Sequence, residues 1–111
     1  MHYQHRYHAG NFADVFKHVV LCALLQALNR KGTPWCCLDT HAGAGLYDLR
    51  DESSARTGEW QDGIARLDQA GDAPALIADY LRIVRGAGDG KYPGSPLVAC
   101  ALARPQDRLV L

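Results

Sequence analysis

No stretch of this 111-residue sequence stays apolar for the roughly 20 residues that a membrane-spanning helix needs; the run Val19–Leu25 is seven residues long. The polar, His-rich start lacks the apolar core of a secretory segment before residue 19. A surplus of one charge is missing too: 12 Lys and Arg face 12 Asp and Glu, which removes support for non-specific polyanion binding by the whole chain. The four cysteines, Cys22, Cys36, Cys37 and Cys100, make no Cys-x-x-Cys pair. Cys36 and Cys37 are neighbours, and successive strand side chains point to opposite faces, so they do not share a ring of metal ligands. Buried free thiols in a reducing cytoplasm are the expectation. The length excludes an eight-unit strand–helix barrel, which needs about 250 residues. It also falls short of a complete doubly wound nucleotide enzyme.

What is present is distributed unevenly. Residues 1–34 carry Arg6, Lys17, Arg30 and Lys31 against the single acid Asp14, together with four of the five histidines. This end is the candidate for an acidic partner, with a mildly basic solvated face as the plainer reading. His2, His5 and His8 recur every three residues, but no acid or cysteine stands at compatible spacing, so no metal site is expected.

Asn11 followed by Asp14 has the form of a helix start. Phe12, Val15/Phe16, Val19/Val20, Ala23/Leu24 and Ala27/Leu28 then recur at the 3–4 spacing of one apolar stripe. This predicts a helix over about 12–30, with Arg30 and Lys31 at its negative end and Gly32 as a left-handed stop. Lys17 and His18 sit mid-helix, where spacing alone favours a surface or satisfied core histidine. Trp35-Cys36-Cys37-Leu38 reads as a short buried parallel strand leaving into a Gly-rich loop, Asp39-Thr40-His41-Ala42-Gly43-Ala44-Gly45.

Residues 50–90 read as a small helical insertion: one pattern carries Trp60, Ile64 and Leu67, and another begins near Asp72/Pro74 with Leu76, Ile77, Tyr80, Leu81 and Val84. Ser95 as N-cap with Pro96 in the first turn starts a further helix, and Arg108–Leu111 begins a second strand. Helix, strand, loop, insertion, helix, strand is the alternation of a parallel α/β sheet.

The Asp39–Gly45 loop leaves several readings open. A phosphate cradle wants Gly-Lys-Ser/Thr at its end, where Leu46-Tyr47 stand. A dinucleotide fingerprint wants a third glycine. An acid at the loop mouth would repel a pyrophosphate by about 1–4 kcal/mol at 4 Å separation. A cationic ligand such as S-adenosylmethionine reverses that sign, while a structural strand-end turn needs no ligand.

Tyr3-x-His5-x-Tyr7-His8-Ala9-Gly10-Asn11-x-Ala13-Asp14-Val15-x-Lys17-His18 resembles the N-terminal signature of the RlmJ family, bacterial methyltransferases that make N6-methyladenine in 23S ribosomal RNA. Leu38–Gly45 is similar to the family's cofactor loop, Arg56-Thr57-Gly58-Glu59 and Gly63-Ile64-Ala65-Arg66 to its insertion, and Tyr92-Pro93-Gly94-Ser95-Pro96 to the next core helix start. The resemblance implies a partial Rossmann-like, class I S-adenosylmethionine-dependent methyltransferase fold with a small helical insertion. It divides the chain into 1–49 (tail, helix, strand and cofactor loop), 50–91 (insertion) and 92–111 (core helix and second strand).

It implies that His18, His41 and Ser95 bind S-adenosylmethionine, joined by Asp39, Gly43 and Gly45 on the loop chemistry above, and that Tyr3 meets the RNA with His5 and Lys17 near the cofactor and RNA entrance. The implied partner is 23S ribosomal RNA, protein-free or early in assembly, in the cytoplasm, without membrane or metal. The family's Asp-Pro-Pro-Tyr motif and ribose-binding acid have no counterpart here, so catalytic groups are expected downstream of Leu111. The 111 residues are expected to be inactive alone, to hold cofactor weakly, and to self-associate through an unpaired sheet edge. The alternative is a truncated, non-catalytic remnant that binds nucleotide or protein; the DNA after the Leu111 codon separates the two.

Overall fold

The computed structural model describes residues 3–51, 54 and 57–111, so His2, Glu52 and Arg56 lie outside the described residues. A 3-10 turn at His5–Tyr7 leads into helix α1 (Phe12–Leu28), strand β1 (Cys36–Leu38) and strand β2 (Leu46–Asp48). Then come α2 (Glu59–Asp62), α3 (Ile64–Asp68), α4 (Ala75–Gly86), β3 (Lys91–Pro93), α5 (Ser95–Leu102) and β4 (Arg108–Val110). This is a small mixed α/β arrangement. β1 and β4 pair in parallel with Cys37 opposite Leu109, as the alternation predicts. β2 and β3 pair antiparallel with Tyr47 opposite Tyr92 and Asp48 opposite Lys91. That second pair was not anticipated, because three residues are too few to show alternation. It brackets the helical stretch and brings its two ends together.

Asn11 caps α1 as expected, its side chain accepting the Asp14 N–H at 2.8 Å. The helix stops at Leu28, not 30, and Gly32 is not left-handed. The exit is held instead by side chains. Asn29 accepts the Trp35 indole N–H at 2.8 Å and donates to the Leu102 carbonyl, while Arg104 donates to the carbonyls of Lys31 and Thr33.

The buried face of α1 is the main departure from expectation. Asp14, His18, Cys22 and Leu25 point inward, whereas Phe12, Phe16, Val20, Leu24 and Leu28 are exposed. Val15 and Val19, between the two, lean on the core. The polar residues can be buried there because other elements supply their hydrogen-bond partners.

The larger core joins Cys22 of α1 to Tyr47, Leu49, Ile64, Tyr80, Leu81, Val84 and Tyr92; a smaller one joins Leu25, Trp35 and Ala99. The expected helical face of Trp60, Ile64 and Leu67 is split between α2 and α3 at Gly63, yet all three residues still meet the larger core. β1 is not a buried strand: Cys36 and Leu38 are exposed and only Cys37 is half-buried. Of the thiols only Cys22 is buried, and Cys100 is exposed. At α5 the cap is Gly94, one residue before the expected Ser95, which already belongs to the helix. Among the described residues no helix is long and apolar enough to cross a membrane.

Candidate functional site

A cleft of about 530 Å³ opens between the N-terminal turn, the first half of α1, the Asp39–Gly45 loop and the start of α5. Tyr3, His5, Asp14, Lys17, His18, His41, Ala42, Gly43, Tyr47, Gly94 and Ser95 line it. Seven of the nine residues singled out from sequence therefore meet at one surface, from positions 3 to 95 of the chain. The other two, Asp39 and Gly45, do not line it but are hydrogen-bonded to Ser95 and Gly94, which do.

Local chemistry explains the loop. Asp39 accepts the His41 backbone N–H at 3.1 Å, an Asx-type turn that reverses the chain as it leaves β1. The Ser95 hydroxyl donates to the other Asp39 oxygen, tying the loop to α5. The hydroxyl that was expected to cap the helix is thus spent on the loop acid. Gly43 has a φ of +61°, and a Cβ there would stand 2.8 Å from the Tyr47 hydroxyl, which itself accepts the Ala44 N–H at 3.2 Å. The Gly94 N–H donates to the Gly45 carbonyl at 2.9 Å, and a Cβ at Gly94 would lie 2.4 Å from the Ala44 carbonyl oxygen. Loop and helix start are in backbone contact, with the positive end of α5 at the cleft. Gly45 has no such requirement: a Cβ there would meet only Leu97 at an ordinary 3.8 Å.

Asp14 is the junction of the opposite wall. It is 1% exposed, and its Oδ2 accepts from His5 Nε2 at 2.9 Å and from the Gly10 N–H at 3.0 Å. Its Oδ1 is buried without a hydrogen-bond partner, 3.6 Å from His18 Nε2 and 3.8 Å from Lys17 Nζ. Burial alone would raise this carboxyl, but the His5 hydrogen bond, the nearby His18 and the Gly10 N–H together hold it below the usual carboxylate range. His18 moves down: burial lowers its imidazole, against the pull of Asp14. Behind it, the Tyr92 hydroxyl lies 2.7 Å from Nδ1 and the Tyr80 hydroxyl 2.6 Å from that of Tyr92.

At the rim, the Tyr3 hydroxyl meets His5 Nδ1 at 2.7 Å, and the Tyr3 ring stacks on His8 at 5.3 Å between centroids while remaining 72% exposed. His8 is fixed in turn by Glu59 at 2.6 Å. Lys17 is exposed above Asp14. Asp14, Tyr47, Tyr80 and Tyr92 were not foreseen as site residues. Asp14 and His18 sit four apart inside an apolar helix, a one-face polar pair that carried the signal. For the tyrosines nothing local does; the β2–β3 pairing places them.

A second cleft, of about 480 Å³, lies against α2–α4 with Arg50, Trp60, Arg85 and Lys91 in its lining. Its cations are already matched, Arg50 by Asp89, Arg85 by Asp68 and Lys91 by Asp48. Among the described residues no group of three or more His, Cys, Asp or Glu could hold a metal ion.

Residues 32–111 match the family described as ribosomal RNA large subunit methyltransferase D, RlmJ. Over 113 residues the chain is 48% identical to the ribosomal RNA large subunit methyltransferase J of Escherichia coli K12, covering 98% of this chain and 40% of that protein. The Haemophilus influenzae Rd protein of the same name is 44% identical over 114 residues, covering 98% and 41%. A crystal structure of a protein from Legionella pneumophila strain Philadelphia 1 superposes with a TM-score of 0.80 at 39% identity, covering 91% of this chain and 38% of that one. The chain thus spans about 40% of the length of the curated relatives it matches.

Proposed function

The chain belongs to the RlmJ family of ribosomal RNA large subunit methyltransferases, and from that premise we propose that it is the N-terminal part of an S-adenosylmethionine-dependent enzyme methylating N6 of an adenine in 23S ribosomal RNA. The single observation that carries the reading is the convergence of Tyr3, His5, Lys17, His18, His41, Gly43 and Ser95 on one cleft. Fold class follows the same premise: β1, its loop, α5 and β4 are the opening strand–loop–helix–strand of a Rossmann-like sheet, with α2–α4 inserted.

The donor set fits the cofactor better than a nucleotide phosphate. Asp14 lines the cleft and Asp39 is bonded to Ser95 in its lining, and these two carboxylates favour a cationic centre over a polyanion. His18, His41 and Ser95 would hold the cofactor, with Gly43 keeping the loop backbone clear of side chains and the α5 N-terminus offering its dipole to a carboxylate. When bound, S-adenosylmethionine supplies an electrophilic sulfonium methyl group. The chain's own residues position more than they activate. Tyr3, exposed and stacked on His8, offers a platform for an unstacked base, and Lys17 offers a cation for the RNA backbone. The catalytic groups that take the adenine amine are assigned to sequence beyond these 111 residues, so the chain alone transfers no methyl group.

Equilibrium dialysis with labelled S-adenosylmethionine tests this directly. Saturable binding is expected for the wild-type chain, weakened about tenfold by His41→Ala through loss of a hydrogen bond to a charged ligand, and by Ser95→Ala through loss of the Asp39 bond that ties the loop to α5. Binding unaltered by both substitutions contradicts the assignment.

A further inference from the structure

The hydrogen bonds behind His18 assign a role to two residues of the interior. Tyr92 on β3 and Tyr80 on α4 are both fully buried, their hydroxyls 2.6 Å apart, and the Tyr92 hydroxyl is 2.7 Å from His18 Nδ1. We infer that Tyr92, supported by Tyr80, is a positioning residue that holds His18 as the tautomer protonated on Nε2, so that His18 presents a fixed hydrogen-bond donor on the cleft side. The inference deepens the cofactor reading of the cleft and rests on it for the ligand, though not for the tautomer.

Counting protons decides the direction of the chain. Each hydroxyl has one to give. If Nδ1 carried the ring proton it would donate to the Tyr92 oxygen, Tyr92 would donate to Tyr80, and the Tyr80 proton would be left without an acceptor among the described residues in a fully buried place. In the opposite sense Tyr80 donates to Tyr92, Tyr92 donates to Nδ1, and every proton is used. The far side of the ring agrees. Asp14 Oδ1 has no hydrogen-bond partner and stands 3.6 Å from Nε2, where a proton on Nε2 is attracted and a lone pair repelled. At that distance Asp14 does not capture the Nε2–H in a hydrogen bond, which leaves it for an acceptor on a ligand.

The ring is neutral at pH 7, so the tautomer has consequences: burial disfavours the charged form, Lys17 and His5 add to that, and Asp14 and Asp39 oppose it. A neutral donor at this place selects a carboxylate or carbonyl oxygen and rejects a second cation. The arrangement also gives α4 a part in the site, since its Tyr80 reaches the cleft through Tyr92 and His18 without touching the ligand.

The test is a long-range proton–nitrogen correlation spectrum of the 111-residue chain labelled with 15N in its histidines. An unprotonated, hydrogen-bonded Nδ1 and a protonated Nε2 are expected for His18; a protonated Nδ1 in the wild type overturns the inference with no variant needed. In Tyr92→Phe the Nδ1 resonance is expected to move to the position of an unbonded ring nitrogen, and S-adenosylmethionine affinity to fall about tenfold. An unmoved Nδ1 resonance overturns it as well. Tyr80→Phe keeps the Nε2–H tautomer, because Tyr92 still donates. If the wild type shows the expected tautomer but binds no S-adenosylmethionine, the relay stands and the cofactor reading falls. If it binds with Nδ1 protonated, the relay falls and the cofactor reading stands.

Discussion

The carboxylate of Asp14 shows how one residue couples fold to site. In the sequence it reads as a first-turn acid that helps start α1, and it does satisfy that role beside the Asn11 cap. Its side chain also turns inward, where it binds the Gly10 N–H and His5 and faces His18. The local motif was legible, but the burial was not, because apolar periodicity assigns the inward face to Phe12, Phe16 and Val20. Tertiary hydrogen bonds override that assignment. The buried pair makes stability depend on pH in a defined direction. The His18 pKa is lowered in the folded chain from its ordinary 6.5, so the unfolded ring takes a proton that the folded ring resists. That contribution is full above about pH 6.5 and is lost as pH falls toward the lowered folded value. Asp14, lowered from 3.8, keeps its contribution above that value and loses it only as pH falls through the folded one. Chemical denaturation between pH 7.5 and 5 should therefore show falling stability, and His18→Asn should flatten that fall relative to the wild type. An equal slope in both proteins contradicts the buried, neutral assignment.

At the scale of elements, the longer helices and the strands β1 and β4 were readable, and β2 and β3 were not. α1, α4 and α5 carry enough turns for spacing and start signals to register, and the observed ends differ by one or two residues where Asn29 or Gly94 takes over a terminus. β2 and β3 have three residues each, so their pairing is visible only in three dimensions. That pairing matters for the site, because it sets Tyr47 against the Gly43 turn and Tyr92 behind His18. The contact between loop and α5 is equally element-level: glycine at 94 lets the Ala44 carbonyl approach the helix start. Gly94→Ala would place a methyl group 2.4 Å from that oxygen, tighter than any real contact. The expected result is a loss of about 1–3 kcal/mol in chemical denaturation, as for other overpacked sites. A variant as stable as the wild type would mean that loop and helix are not held together as described.

At the scale of the whole molecule, the sequence reading of a parallel α/β alternation was correct in its core pair, β1 with β4, and incomplete in its layers. The molecule is a flat slab of 44 × 37 × 21 Å. The outward stripe of Phe12, Phe16, Val20, Leu24 and Leu28 fits that shape, as does β1 with its exposed Leu38. Within the slab the site is nonetheless assembled: N-terminal turn, α1, loop and α5 converge on one cleft from residues distant in sequence. The loop and the N-terminal signature were legible because their chemistry is local; the shared cleft was not, because it is created by α1 packing against α5 and by the β2–β3 pair. Backbone amide chemical-shift mapping during titration with S-adenosylmethionine tests whether this cleft binds it. Saturable shifts are expected on Asp14–His18, His41–Gly43 and Ser95, with the second cleft at Arg50, Trp60 and Lys91 unmoved. Shifts confined to that second cleft, or none that saturate, would contradict that binding.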